Sequence, residues 1–439
     1  MKKFRIISLG CPKNLVDSEI IMGQMEEAGY EYSEDGEIVI INTCGFIHPA
    51  IEESEGEIRE QLKRKARGEI EKVVIAGCLV QRKKEELLNL FPDADAVLGH
   101  DDIPHIVDII EGKRKPRISQ NPRYLPTLNL PRIVSTEHYA YLKIGEGCSR
   151  RCAFCTIPSI RGDFRSRGIE DIVEEAREIA EMGIEEIIVV AQDFTLYGLD
   201  IYGENRSAHL LEALNRIDGI KWIRIMYAHP HGIVKNPEII DAMASLERVV
   251  PYIELPIQHI SEKILRRMNR SGGKKAVMQA LELIGEKLPD AAIRTEVIVG
   301  FPGEHQEDFE ELVAFLEDSP FARIGVFPYY NEPGSASYHM DGQVDEREKE
   351  LRYQIIRQVA EDRLMEFQRN LVGREIEFMV EGFENGWFRG RSIYDAPQVD
   401  AGIGTRRALR PGKIHRGKVV DVSPEGDLIV EEVQGLQLS

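Results

Sequence analysis

The 439-residue chain carries six cysteines, and they fall into two groups of three. The second group reads Cys148-Ser-Arg-Arg-Cys152-Ala-Phe-Cys155, a C-x3-C-x2-C cluster that follows a strand-like run and Gly147. Three thiolates on so tight a loop can hold three irons of a cubane 4Fe-4S cluster, since short spacers set the sulfurs around one cube. The fourth iron is then left without a cysteine and becomes a chemical site rather than an electron store. A zinc knot or a redox disulfide is the competing reading, but zinc needs a fourth ligand, and His138 and His209 do not stand at finger spacing.

Cys11, Cys44 and Cys78 form the first group, and each ends a short apolar run rich in β-formers: Phe4 to Gly10, Glu37 to Thr43 and Lys72 to Gly77. A helical pattern follows each, over Asp17 to Ala28, Pro49 to Arg67 and Gln81 to Leu90. Strand and helix alternating at this length predict βαβ units and a parallel sheet, whose carboxyl edge gathers ligands. Three cysteines distant in sequence are thus expected on one edge. Buried structural thiols are the bland alternative; all three lying at strand ends favours a second three-ligand site, again a 4Fe-4S cluster with one open iron.

Proline-rich residues from Arg114 to Pro131 read as a linker. Six further strand-like segments follow, Tyr139 to Gly145, Glu186 to Gln192, Trp222 to Tyr227, Tyr252 to Ile257, Arg294 to Val299 and Arg323 to Pro328, each with a helical pattern behind it. They predict a partial TIM-like (β/α)6 barrel with its chemistry at the carboxyl ends of the strands. There the sequence places the cysteine loop, Gln192-Asp193, Gln258-His259 and Gly300-Phe301-Pro302-Gly303-Glu304. Gly and Pro after a strand also serve as plain turn residues. The basic run Arg161 to Arg167 reads equally as a substrate or phosphate contact at the site mouth and as a solvated loop. Asp345 to Val372 reads as one charged helix. From Gly373 onward, alternating runs at Glu375 to Val380, Gly417 to Val422 and Leu428 to Val433, with turns such as Asn385-Gly386, predict a small antiparallel β-barrel. Ala401 to Arg410 lacks apolar alternation and is expected to be irregular. The fold class is therefore α/β and multidomain, divided as 1–115, a linker over 116–133, a barrel over 134–372 and a β-domain over 373–439.

The cysteine-loop barrel resembles the radical S-adenosylmethionine enzymes. That resemblance implies that the open iron chelates S-adenosylmethionine, whose one-electron reduction yields a 5'-deoxyadenosyl radical that removes a substrate hydrogen. It also implies cofactor contacts at Phe154, at Gly300, Pro302 and Gly303, and at Gln192 and Asp193, where the superfamily usually carries two glycines and a glutamate. Phe154 is equally suited to ordinary packing. The three-part order, along essentially the whole chain, is similar to the methylthiotransferases. Leu9 to Glu19 (LGCPKNLVDSE), Asn42 to Ile47 (NTCGFI) and Cys155 to Gly162 (CTIPSIRG) resemble the branch that modifies an aspartate of small-subunit ribosomal protein S twelve; the branch that modifies a tRNA adenosine usually has Gln-Met-Asn after the first cysteine.

The resemblance implies two 4Fe-4S clusters, on Cys11, Cys44 and Cys78 and on Cys148, Cys152 and Cys155, together with S-adenosylmethionine, a sulfide or polysulfide sulfur donor and a low-potential electron donor. Charge points the same way: the net charge is −19, and residues 373–439 hold nine Lys or Arg against eleven Asp or Glu. An RNA-gripping domain would carry a positive balance, whereas an acidic one suits a basic ribosomal protein. A signal region and membrane-length apolar stretches are both missing from the sequence, and iron-ligating thiolates need a reducing compartment, so the expected location is cytoplasmic. The tRNA enzyme and a non-catalytic iron-sulfur electron carrier are the alternatives; complete four-cysteine ligation would mark the carrier.

Overall fold

The computed structural model describes residues 2–432. Strands β1 (Lys3–Ser8), β2 (Glu31–Tyr32), β3 (Ile38–Thr43), β4 (Lys72–Gly77) and β5 (Ala96–Val97) form a parallel sheet in the order β2-β1-β3-β4-β5. The middle strand β3 is buried along its whole length, as a run of Ile and Val covered on both faces requires. Helices α1 (Pro12–Glu27), α2 (His48–Ala66) and α3 (Cys78–Lys83) follow β1, β3 and β4. The helix expected over Gln81 to Leu90 is broken at Lys84, whose φ is 51°, and resumes at Glu85.

The segment after residue 113 has no regular structure, yet it is tied down. Asp101 accepts from the backbone N–H of Arg123 and Tyr124 at 2.6 and 2.7 Å, and Asp171 from that of Leu128 at 2.8 Å.

Strands β6 (Tyr139–Lys143), β9 (Glu186–Val190), β10 (Trp222–Ile225), β11 (Val249–Glu254), β12 (Ala292–Val299) and β13 (Phe321–Pro328) form the central parallel sheet, ordered β13-β12-β11-β10-β9-β6. The six expected βα units are thus present in sequence order, with β6 and β13 as open edges. Between the first two strands, β7 (Gly145–Glu146) pairs antiparallel with β8 (Arg165–Ser166), and this ribbon brackets the cysteine loop. The charged helix spans Glu346–Leu371 and packs on β13; the Asp345 carboxylate caps it, accepting from the Arg347 N–H at 2.9 Å.

The last unit is a closed barrel ordered β14-β15-β16-β18-β17, from β14 (Glu375–Glu384), β15 (Trp387–Ser392), β16 (Ile403–Thr405), β17 (Ile414–Val422) and β18 (Leu428–Glu432). Asn385 and Gly386 both have positive φ, as a two-residue hairpin turn demands. Two features depart from expectation. Residues 403–405 form a strand inside the stretch expected to be irregular, and their pairing with β18 is parallel while the other pairs are antiparallel. With glycines at 402 and 404 the segment shows no alternation, and its two neighbours impose the strand. Val433, expected at the end of β18, lies outside the described residues.

The barrel floor is charged and plugged. Glu186, Arg224, Tyr252, Arg294 and Arg323 project from successive strands, and the end of β15 with its following loop answers them. Arg391 reaches Glu186 Oε2 at 2.7 Å, the Ile393 carbonyl accepts from Arg224 at 2.9 Å, and Asp395 pairs with Arg323. Asp400 accepts from Arg294 and from the Tyr252 hydroxyl, both at 2.9 Å.

Candidate functional site: two cysteine edges

Because β1, β3 and β4 are adjacent and in register, with Ser8 opposite Asn42 and Asn42 opposite Ala76, their carboxyl ends are level. Cys11 caps α1, Cys44 follows β3 and Cys78 opens α3, so the first triplet shares one edge. Asn14 ties it together: its amide donates to the Leu9 and Thr43 carbonyls at 2.9 and 3.0 Å, while its Oδ1 lies 3.4 Å from Cys78 Sγ. A Cβ on Gly10 would stand 2.9 Å from that of Cys44, so the chain beside Cys11 backs directly onto Cys44. Burial pushes the Cys78 thiol up to about 12 and also raises Cys44. Burial opposes ionisation at Cys11 as well, but Lys13, Arg161 and two backbone N–H groups bring that thiol below its ordinary value.

The second triplet lies in the loop between β7 and the helix Ile157–Arg161. Arg151 in that loop takes a φ of 57°, and the Ala153 N–H donates to the Met268 carbonyl at 2.8 Å. Gly147 admits no side chain, since a Cβ would meet the Asp163 carbonyl oxygen at 2.3 Å. Burial raises Cys148 to about 11 and raises Cys155 too, with the Cys148 and Cys152 thiols adding to the effect on Cys155. Arg270 donates to Cys152 Sγ at 3.4 Å. Among the described residues no three His, Cys, Asp or Glu side chains close around a single ion. A cubane asks for something else, since each cysteine binds a different iron and the thiols stand wider apart than the ligands of one zinc. Two sets of three free, mutually interacting thiols, with arginine N–H groups aimed at sulfur, are a donor set that fits such clusters.

The structure places the other expected residues around this loop. Phe154 is half-buried against Ala153, Met268 and Phe301 in one apolar cluster, so its packing role is visible. Gln192 donates to Glu146 at 2.9 Å while its Oε1 is buried without a partner. Asp193 pairs with Arg150 at 2.5 Å and accepts from the Thr195 N–H and hydroxyl. Gly300 and Gly303 have φ of 74° and 84° and are packed from outside: a Cβ would meet Lys349 at 2.3 Å and Arg267 at 2.8 Å respectively. Pro302 offers its carbonyl to Arg267 at 2.9 Å. The buried Glu304 carboxylate gathers the turn, accepting from the Gly300 and Phe301 N–H groups and from Arg352.

Sequence reasoning missed two groups. His229 is buried at the same strand edge, with its Nε2 unpartnered. Arg161, read as part of a segment at the site mouth, is in fact 2% exposed and joins the two cysteine sites. It donates to Cys78 Sγ at 3.2 and 3.3 Å, to Glu146 at 2.7 Å and to Asp17 at 3.1 Å. Arg167 is buried as well, held by Asp171 and Glu175. Lys143 also pairs with Asp17 and Glu146, and so tempers the loss of Arg161. Arg161→Met should therefore lower stability by about 2–3 kcal/mol, the range of a few charge-assisted hydrogen bonds, as read by denaturant midpoint.

Similarity to known proteins agrees with this geometry. The Radical SAM superfamily matches residues 142–316, and Uncharacterized protein family UPF0004 matches residues 3–99. The ribosomal protein uS12 methylthiotransferase RimO of Dictyoglomus thermophilum is 41% identical over 92% of this chain and 92% of its own. That of Heliobacterium modesticaldum is 42% identical over 91% of this chain and 88% of its own. The chain belongs to the RimO family. As a RimO-family member it is a radical S-adenosylmethionine methylthiotransferase, and iron-sulfur and S-adenosylmethionine are its cofactor class. Among solved structures, the radical S-adenosylmethionine methyltransferase TsrM from Kitasatospora setae, with cobalamin and a 4Fe-4S cluster bound, matches at TM-score 0.55 and 15% identity over 75% of this chain and 72% of that one. The cobalamin-dependent radical enzyme OxsB matches at TM-score 0.51 and 13% identity over 82% and 56%. At such identities the two report fold alone. Among the described residues no helix of this RimO-family chain is long and apolar enough to cross a membrane.

Proposed function

We propose that the chain transfers a methylthio group to the β-carbon of an aspartate in ribosomal protein uS12. Support comes from its RimO relatives and, above all, from one contact: α3, opened by Cys78, packs on the helix Ile157–Arg161, which begins two residues after Cys155. The segments that follow Cys78 and Cys155 are therefore neighbours. Cys11, Cys44 and Cys78 would hold one 4Fe-4S cluster, and Cys148, Cys152 and Cys155 the other. When bound, these groups supply reductive cleavage of S-adenosylmethionine and carry the sulfur to be added, with the methyl group coming from a second S-adenosylmethionine.

The chain's own part is to bind, orient and keep water out. Phe154, Gln192, Asp193, Gly300, Pro302 and Gly303 are the assigned S-adenosylmethionine contacts, and the unpartnered Gln192 Oε1 and His229 Nε2 are the polar atoms with capacity to spare. Residues 1–115 and 134–372 carry the two cysteine sites, 116–133 link them, and the C-terminal domain, 373–439, recognises the substrate. A low-potential donor, a sulfide or polysulfide and a cytoplasmic setting complete the reading.

Its test is anaerobic incubation of iron-reconstituted protein with S-adenosylmethionine, sulfide, reductant and either uS12 or tRNA, followed by mass spectrometry. One methylthio unit on an aspartyl peptide is expected. The same gain on a nucleoside instead would refute the protein substrate.

A further inference from the structure

The loop that leaves β13 touches both cysteine groups. At one end its Glu332, buried although charged, accepts from the His48 N–H at 2.5 Å and from Arg82 at 2.6 Å. Arg82 belongs to α3, the helix opened by Cys78, and its other terminal nitrogen donates to the Gly45 and Phe46 carbonyls, directly after Cys44, at 2.8 and 3.0 Å. At the other end of the loop the Ser337 N–H donates at 2.9 Å to the carbonyl of Ala153, which lies between Cys152 and Cys155. One short segment, residues 332–337, therefore grips the chain beside Cys44 and Cys78 with one end and the second cysteine loop with the other.

The grip is stiff for physical reasons. Ile47 at the N-cap of α2 has no side-chain acceptor, and the carboxylate that takes the helix's first N–H comes from 284 residues further along the chain. A negative charge is favoured at a helix start, where N–H groups lack partners. The Glu332 and Arg82 side chains are 5% and 11% exposed, so each depends on the other in place of water. Within the loop the Tyr329 hydroxyl lies 2.8 Å from Ser337 Oγ, and the Ser335 N–H donates to the Glu332 carbonyl at 3.1 Å. The Tyr329 ring meets that of Phe301, in the Gly300 turn, edge-on at 5.2 Å. The two ends of the segment are thereby held to each other.

We infer that Glu332 is a positioning residue for methylthio transfer: through Arg82 and the start of α2 it holds the segments after Cys44 and Cys78 at one setting against the Cys148–Cys155 loop. This rests on the reading that each triplet holds a cluster and that both serve one reaction on uS12. Cleavage of S-adenosylmethionine calls on the second triplet alone, whereas transfer of sulfur calls on both triplets in a fixed mutual placement. A misplacement of about 1 Å costs on the order of a hundredfold in a step that depends on orientation. Loosening Glu332 therefore spares the first event and harms the second.

The experiment compares wild type with Glu332→Ala, Glu332→Gln and a control, Asp95→Asn. Asp95 accepts from the Val73 N–H at 2.7 Å and from Lys65 at 2.6 Å, so its loss weakens the N-terminal sheet without touching the loop after β13. Two quantities are read: 5'-deoxyadenosine formed per methylthio unit added to uS12 by the iron-loaded protein, and hydrogen exchange over residues 44–50 and 78–84 of the metal-free chain. Glu332→Ala should keep the wild-type iron content, raise the first ratio about tenfold or more and speed exchange in both segments by a similar factor. Glu332→Gln, which keeps the length and one acceptor oxygen, should fall between, and it carries the test should the alanine variant fail to load iron. Asp95→Asn should keep the wild-type ratio. An unchanged ratio in the Glu332 variants, or an equal rise in Asp95→Asn, overturns the assignment. Failure of the underlying reading looks different, since wild type itself would then hold well under about eight irons per chain or leave uS12 unmodified.

Discussion

Alanine at Cys148, Cys152 and Cys155 together is expected to abolish cleavage of S-adenosylmethionine, whereas alanine at Cys11, Cys44 and Cys78 should leave cleavage in place and abolish methylthio transfer. The asymmetry follows from the two edges. The loop between β7 and the helix Ile157–Arg161 belongs to the barrel whose strand ends carry Gln192, Asp193 and the Gly300 turn, while the first triplet belongs to a sheet with none of these. Each triple variant should lose about four irons per chain, since each removes every protein ligand of one cluster. Iron analysis, chromatographic detection of 5'-deoxyadenosine and product mass read the three consequences separately. Full iron content in the Cys11, Cys44 and Cys78 triple variant would remove those thiols from the ligand set.

The second large effect is expected far from the chemistry. Asp400→Leu should destabilise the chain by about 3–5 kcal/mol, the usual loss when one partner of a buried ion pair is removed. Asp400 Oδ1 faces Arg294 at 2.9 Å and Arg323 at 3.3 Å, and its Oδ2 accepts from the Tyr252 hydroxyl and the Ala396 N–H. Leucine matches the volume but removes the carboxylate that Arg294 and Arg323 share, leaving Arg294 to Glu254 at 3.4 Å and Arg323 to Asp395. Denaturant unfolding of the metal-free chain measures the loss, and hydrogen exchange should show β14 to β18 opening first. A change within about 0.5 kcal/mol, the range of an ordinary surface substitution, would show that the plug contributes little.

Much of this was legible in the sequence, and the parts that were not share a cause. The strands before Cys11, Cys44 and Cys78 are runs of Ile and Val that need no tertiary context to be recognised, and parallel pairing then makes their ends converge. Arg161 was misplaced because a basic run beside a cysteine loop looks the same whether it meets solvent or buried carboxylates. Its partners Asp17 and Glu146 stand 144 and 15 residues away, and nothing local marks them. Residues 403–405 are a strand only because β15 and β18 flank them.

The charged plug has a bearing on how such chains can be re-engineered or diversify. A recognition domain joined by an exposed hinge could be exchanged freely for another. Here Arg391, Asp395 and Asp400 complete the floor of the radical-generating barrel, answering Glu186, Arg294 and Arg323. A graft of residues 373–439 from a relative with different floor residues would leave charges without counterparts in both halves. On the proposed reading of residues 373–439 as the recognition domain, target choice and catalytic scaffold are inherited together, and a change of substrate has to arise on the domain's outer strands while its inner loop stays as it is.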